Sequence, residues 1–230
     1  MNDKDSRLLW ERGLQFLGGQ TAAQSHEVTN VFNIINELAG LLGDLVYGLK
    51  HGRDVDPERF REIADKIAFQ VQRGNTIVRT INQFGHSADT LRALIDLRTV
   101  LERICFIAQR PANLSKTRLE TAFPEDTVAL ENSPLGLEQA VFTAFEIGLA
   151  ASDTERHMTI SYALPGDGVE ITVHSADPLT ETAEAAAKAA FLVLLLDALG
   201  GRFVDAPFDG DPHRIVMHFP AVAPPDDGAV

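Results

Sequence analysis

The chain has a single cysteine, Cys105, in 230 residues, which excludes an intramolecular disulfide and a cysteine-built metal cluster. Its N-terminus lacks the charged-then-apolar pattern of a secretory signal. The longest apolar run, Ala189 to Leu196, is far too short for a bilayer, which takes roughly 20 residues. Positive charge is scarce: 20 Lys and Arg stand against 33 Asp and Glu, a formal net charge of −13 with a pI near 4.9. That balance speaks against nucleic acid and anionic membranes as partners and leaves room for a protein partner with a basic rim. A soluble, cytoplasmic protein is expected. Apolar residues are plentiful, 45% of the total, enough for a substantial core, and the length accommodates two small domains or one medium one.

The strongest pattern surrounds Ser25-His26-Glu27-Val28-Thr29-Asn30. Val28, Val31, Ile35, Leu38, Leu42, Leu45 and Leu49 follow at alternating three- and four-residue steps, the seam of a helix packed lengthwise on other helices. Beside it runs a polar stripe of His26, Asn30, Asn33, Glu37 and Asp44. Residues four apart share a helix face, so His26 and Asn30 sit one turn apart. The pattern predicts a helix over Asp5 to Leu17, a break or kink at Gly18-Gly19, and a long helix from about Thr21 to Lys50 that stops near Gly52. Asp56-Pro57-Glu58 starts another, with Asp56 as N-cap and Pro57 at the first helical position. Phe60, Ala64, Ile67, Val71, Val78 and Ile81 give it a seam of its own. Such a hairpin leaves Phe32, Ile34, Leu41 and Val46 off the first seam. Two hairpins paired as a four-helix bundle would cover them, so a homodimer is expected; the alternative is a hairpin covered by the rest of its own chain.

His86 to Thr90 reads as a linker, and beyond it the pattern becomes mixed. Helices are predicted over Leu91 to Gln109, Pro134 to Ser152 and Thr182 to Leu199, the last ended by Gly200-Gly201. Strands are predicted over Thr117 to Phe123, Thr127 to Glu131, His157 to Leu164, Val169 to His174, Arg202 to Asp205 and Arg214 to Phe219. Pro165-Gly166-Asp167-Gly168 turns a hairpin, and the tail from Ala223 is expected to be disordered. The domains expected are a helical hairpin over 1–88, an α/β domain over 89–222 and the tail 223–230, an α+β fold.

These segments, in this order, resemble the catalytic core of bacterial sensor histidine kinases over roughly Ala22 to Pro220. Ser25-His26-Glu27-x-x-Asn30 looks like the phospho-accepting box on the first of two dimerising helices. Ile95-Asp96-Leu97 resembles the junction to the ATPase domain, and Pro134-Leu135-x-Leu137-Glu138-Gln139 the helix that carries the first ATP-binding box. Ala198-Leu199-Gly200-Gly201-Arg202 and the strand ending at Phe219-Pro220 match the closing helix and strands. The resemblance implies a dimeric four-helix bundle followed by an ATPase-like α/β sandwich. The ATP motifs are degenerate. Ile147 stands where the family has a magnesium-binding asparagine, Ser175, Asp177 and Leu179 stand in the adenine motif, and Ala186 and Lys188 stand in the later glycine box. The segment from Asp177 to Ala183 is short for an ATP lid, and the apolar stretch Phe191 to Leu196 suggests a cleft filled by side chains.

A kinase core that keeps its histidine and lacks nucleotide motifs resembles the dimeric histidine phosphotransferases, which relay a phosphoryl group between aspartates of response-regulator receiver domains. On that resemblance His26 is the nucleophile, Glu27 orients its ring or takes its proton, and Asn30 lies where a phosphatase would position a water. Asn33, Ile34 and Glu37, just below His26, are the expected receiver-docking residues, together with Asn30 and part of the second helix. No cofactor is expected in the chain itself, with magnesium coming from the receiver. The alternatives are a response-regulator phosphatase and a non-catalytic module that sequesters a receiver. A zinc protease is excluded, because position 30 is Asn and not His. His51, His86, His157, His174, His213 and His218 have no metal-ligand spacing, and Cys105 reads as inert core.

Overall fold

The computed structural model describes residues 3–125, 128–151, 156–166 and 168–220. The described residues form two compact units: Leu17–His86 is one, and the residues up to Phe16 together with those from Ser87 onward make the other. The expected tail from Ala223 lies outside the described residues.

Helix α1 (Asp3–Lys50) runs unbroken for 48 residues, so the break predicted at Gly18-Gly19 is absent. A glycine inside a helix costs only about 1 kcal/mol relative to alanine, and neither Gly18 nor Gly19 takes a positive φ. The chain then turns at Gly52, in the left-handed region at φ 77°, with the Arg53 N–H donating to the Gly48 carbonyl at 3.0 Å. Asp56 caps helix α2 (Pro57–His86), its Oδ1 accepting from the Glu58 N–H at 2.9 Å. The helices approach closely near Gly74, where an added Cβ would lie 3.2 Å from Val31 Cγ1. Val31 and Ile77 are buried in the hairpin, while much of the remaining apolar surface is half-buried or exposed.

The second unit contains β1 (Ala93–Asp96), α3 (Leu97–Leu114), β2 (Thr117–Ala122), β3 (Ala129–Asn132), α4 (Pro134–Ala150), β4 (Arg156–Ala163), β5 (Gly168–Ser175), α5 (Ala183–Ala198), β6 (Arg202–Asp205) and β7 (Arg214–Pro220). The helix predicted over Leu91 to Gln109 is corrected at both ends. Ala93–Asp96 pairs antiparallel with β3, and the helix starts at Leu97 and continues through Pro111 to Leu114. Asp96 is extended, and its side chain caps the helix by accepting from the Thr99 N–H at 3.0 Å. The pairing partner of β1 is remote in sequence, so no local periodicity reports it.

The main sheet has the order β2-β4-β5-β7-β6. Only β2 with β4 is parallel; the other neighbours are antiparallel. Helix α3 packs against β2, α4 against β5 and α5 against β6, and Leu101, Phe145, Ile171 and Met217 fill the core. The architecture is α+β, a helical hairpin followed by a mixed sheet with helices packed on it. The first residues of α1 belong to this unit: the Phe16 and Phe142 rings lie 5.4 Å apart, and the Arg12 guanidinium stands 6.0 Å from the Phe191 ring centre. Helix α5 buries Leu192, Leu195 and Leu196 but exposes Val193, so its apolar stretch is covered on one side only.

Candidate functional site

The sequence-predicted residues all lie on the first unit. His26, Asn30, Asn33 and Glu37 are exposed on α1, at the three- and four-residue spacing that sets them along one side of the helix. Ile34 is half-buried. Glu27 is drawn toward the other helix: its Oε2 accepts from Arg73 Nη2 at 2.7 Å, an ion pair bridging α1 and α2 with the carboxylate mostly shielded. An exposed imidazole on a long rigid helix is accessible to a macromolecular partner, and the side-chain amide of Asn30 stands one turn further on.

Arg73 is the residue that sequence reasoning missed. Its signal was present in the hairpin register, because the turn that joins Gly48 to Arg53 sets Glu27 opposite the residues around Gly74.

The positions aligned with nucleotide motifs lie in the second unit. Ile147 is wholly buried in α4. Ser175 is buried at the end of β5, its N–H donating to the His213 carbonyl at 2.7 Å. The segment that follows is tied down by its backbone: the Ala176 N–H donates to His157 O at 2.9 Å, Leu179 to Pro212 O at 2.6 Å and Thr180 to Ala151 O at 2.9 Å. Ala186 lies inside α5, and Lys188 Nζ reaches Glu146 at 3.2 Å and Glu184 at 3.6 Å.

The other histidines have local partners. His51 Nδ1 lies 2.8 Å from the Tyr47 carbonyl, His157 Nε2 lies 2.8 Å from Glu120 Oε2, and the His174 and His213 rings stack at 6.3 Å. The hydrogen bond from His157 holds the Glu120 carboxyl below the ordinary range. Burial, with Glu102 nearby, pushes the Cys105 thiol up to about 12, so it stays protonated and unreactive at neutral pH. Among the described residues no three His, Cys, Asp or Glu side chains are grouped to hold a metal ion, and no helix is long and apolar enough to cross a membrane.

No protein-family model and no curated protein matches the chain. Among solved structures, the chain is similar to the Acinetobacter baumannii histidine kinase AdeS, at 14% identity over 81% of this chain and 96% of that one, with a TM-score of 0.48. It is also similar to the cytoplasmic segment of histidine kinase QseC, at 13% identity over 66% of this chain and 95% of that one, TM-score 0.46. The catalytic domain of histidine kinase ThkA aligns at 10% identity over 57% of this chain and 98% of that one, TM-score 0.49.

Proposed function

We propose that the chain is a histidine phosphotransferase of two-component signalling, relaying a phosphoryl group between the aspartates of receiver domains through His26. The observation that carries this reading is the exposed His26 on a rigid helical hairpin, with Asn30, Asn33 and Glu37 exposed along the same helix. A ring nitrogen of His26 attacks the phosphorus of an aspartyl phosphate. The N–P bond forms as the O–P bond breaks, and the aspartate leaves as a carboxylate. Reversal onto a second receiver returns the imidazole. Little covalent chemistry is asked of the protein, so positioning dominates. The receiver docks over Asn33, Ile34 and Glu37 and supplies its own magnesium.

No nucleotide takes part in this reading. A metal-bound triphosphate needs closely approaching backbone and an oxygen ligand, whereas Ile147 offers a buried hydrocarbon and Lys188 is committed to Glu146 and Glu184. The test is incubation with a receiver carrying labelled phosphoryl. Label is expected on His26 and then on a second receiver, and magnesium-ATP offered as donor is expected to leave His26 unlabelled. Free phosphate as the sole product would favour the phosphatase reading, which the exposed Asn30 also suits. Labelling from ATP would overturn the nucleotide-free assignment.

The working unit is a homodimer. Phe32 is 61% exposed, Leu41 51% and Phe69 63%, and Leu49, Val71 and Val78 of the two seams are exposed as well; a large uncovered apolar surface on a hairpin is what a four-helix bundle buries. Phe32→Asp with Leu41→Asp is expected to give a monomer with its helix content kept, because both side chains project from a single hairpin. Light scattering that reports a monomer for the unaltered chain at micromolar concentration would overturn the dimer.

A further inference from the structure

We infer that Arg73 is a positioning residue for the phosphotransfer centre, holding the carboxylate next to His26 in one place; this rests on the phosphotransfer reading above. From Gln70 to Val78, Arg73 is the one charged residue of α2, and from Thr21 to Asn36, Glu27 is the one carboxylate of α1. A single cation and a single anion in two otherwise uncharged stretches meet at 2.7 Å, at the level of the histidine. Gly74, the next residue to Arg73, lies where the helices approach so closely that a Cβ would be 3.2 Å from Val31. The tight crossing brings the guanidinium within reach of α1.

A partly exposed pair of this kind adds little to stability, too little to explain it as a brace. Its effect is directional. Held by Arg73, the Glu27 carboxylate cannot swing freely, and it sets a fixed negative charge one residue along α1 from the imidazole, whose ring becomes cationic as its nitrogen attacks. Arg73 is assigned a positioning role, acting through Glu27 rather than on the phosphoryl group itself.

The test is a set of variants in the whole 230-residue chain, read by the initial rate of label uptake at His26 from saturating phospho-receiver and by the thermal midpoint. Arg73→Ala is expected to slow uptake by about tenfold to a hundredfold, the scale of a misplaced catalytic group, with the midpoint nearly unchanged. Arg73→Lys should recover most of the rate. The exchange Glu27→Arg with Arg73→Glu restores an ion pair between the helices but places a cation beside His26, so it should keep the midpoint and leave uptake slow. Uptake restored by the exchange would show a mere brace and overturn the inference, as would an unchanged rate in Arg73→Ala. An unaltered chain that takes up no label fails earlier, at the phosphotransfer reading, and the role of Arg73 falls with it.

Discussion

His26→Ala is expected to abolish both phosphoryl uptake and relay, by at least about a thousandfold or roughly 4 kcal/mol of transition-state stabilisation, while Asn30→Ala leaves relay standing. A transferase cannot dispense with the nitrogen that carries the phosphoryl group. A phosphatase attacks the aspartyl phosphate with water, needs the Asn30 amide to hold that water, and does not strictly need the imidazole. The two side chains share the exposed side of α1 one turn apart, so neither change disturbs the hairpin seam and both variants should fold. The measurement follows label on the histidine and free phosphate in parallel after mixing with phospho-receiver. Phosphate release that survives His26→Ala and disappears with Asn30→Ala would replace the transferase with a phosphatase. Tight receiver binding with neither reaction would leave the sequestering module.

The readable parts of the sequence were those with local causes. The α1 seam, the Asp56 cap with Pro57, and the Gly52 stop each act within a few residues, and they set the hairpin that carries His26. The β4–β5 hairpin was legible for the same reason, from alternation on either side of a Pro-Gly turn. Strand β1 was read as helix because its pairing with β3 is non-local, and a capping aspartate inside an apolar run is easily absorbed into the helix it starts. The unbroken course of α1 through Gly18-Gly19 has the opposite cause, since two locally unfavourable residues are carried by the helix on either side. On α1, spacing along one helix set His26, Asn30, Asn33 and Glu37 on one side, where all four are exposed. The bond between Glu27 and Arg73 depends on inter-helix register, which a single helix's periodicity does not contain.

The largest stability effect is expected inside the second unit, from Arg103→Ala. Arg103 Nε donates to Glu138 Oε1 at 2.5 Å, and the Glu138 side chain is 0% exposed. Burial pushes the Glu138 carboxyl up, and the neighbouring Arg103 and the Ser87 hydroxyl pull it back down. Removing the guanidinium leaves a buried carboxylate without its counter-charge, at a cost of about 3–5 kcal/mol. The pH dependence has a definite sign. A carboxyl whose folded pKa is raised holds its proton more tightly in the folded state than in the unfolded chain. Its contribution to stability is therefore complete below the unfolded value and is lost as pH rises through the folded one. Without Arg103 the folded value moves further up, so Arg103→Ala should be most penalised near neutrality and regain part of the loss on acidification toward pH 5. Denaturant titrations of the unaltered and Arg103→Ala chains at both pH values measure this, and the difference between the two chains cancels the groups they share. Replacing both partners, Arg103→Met with Glu138→Leu, removes the charge and its desolvation together and should fall within about 1 kcal/mol of the unaltered chain or above it. A cost below about 1 kcal/mol for Arg103→Ala, or one independent of pH, would mean that water reaches Glu138 and that the pair does not act as a buried one.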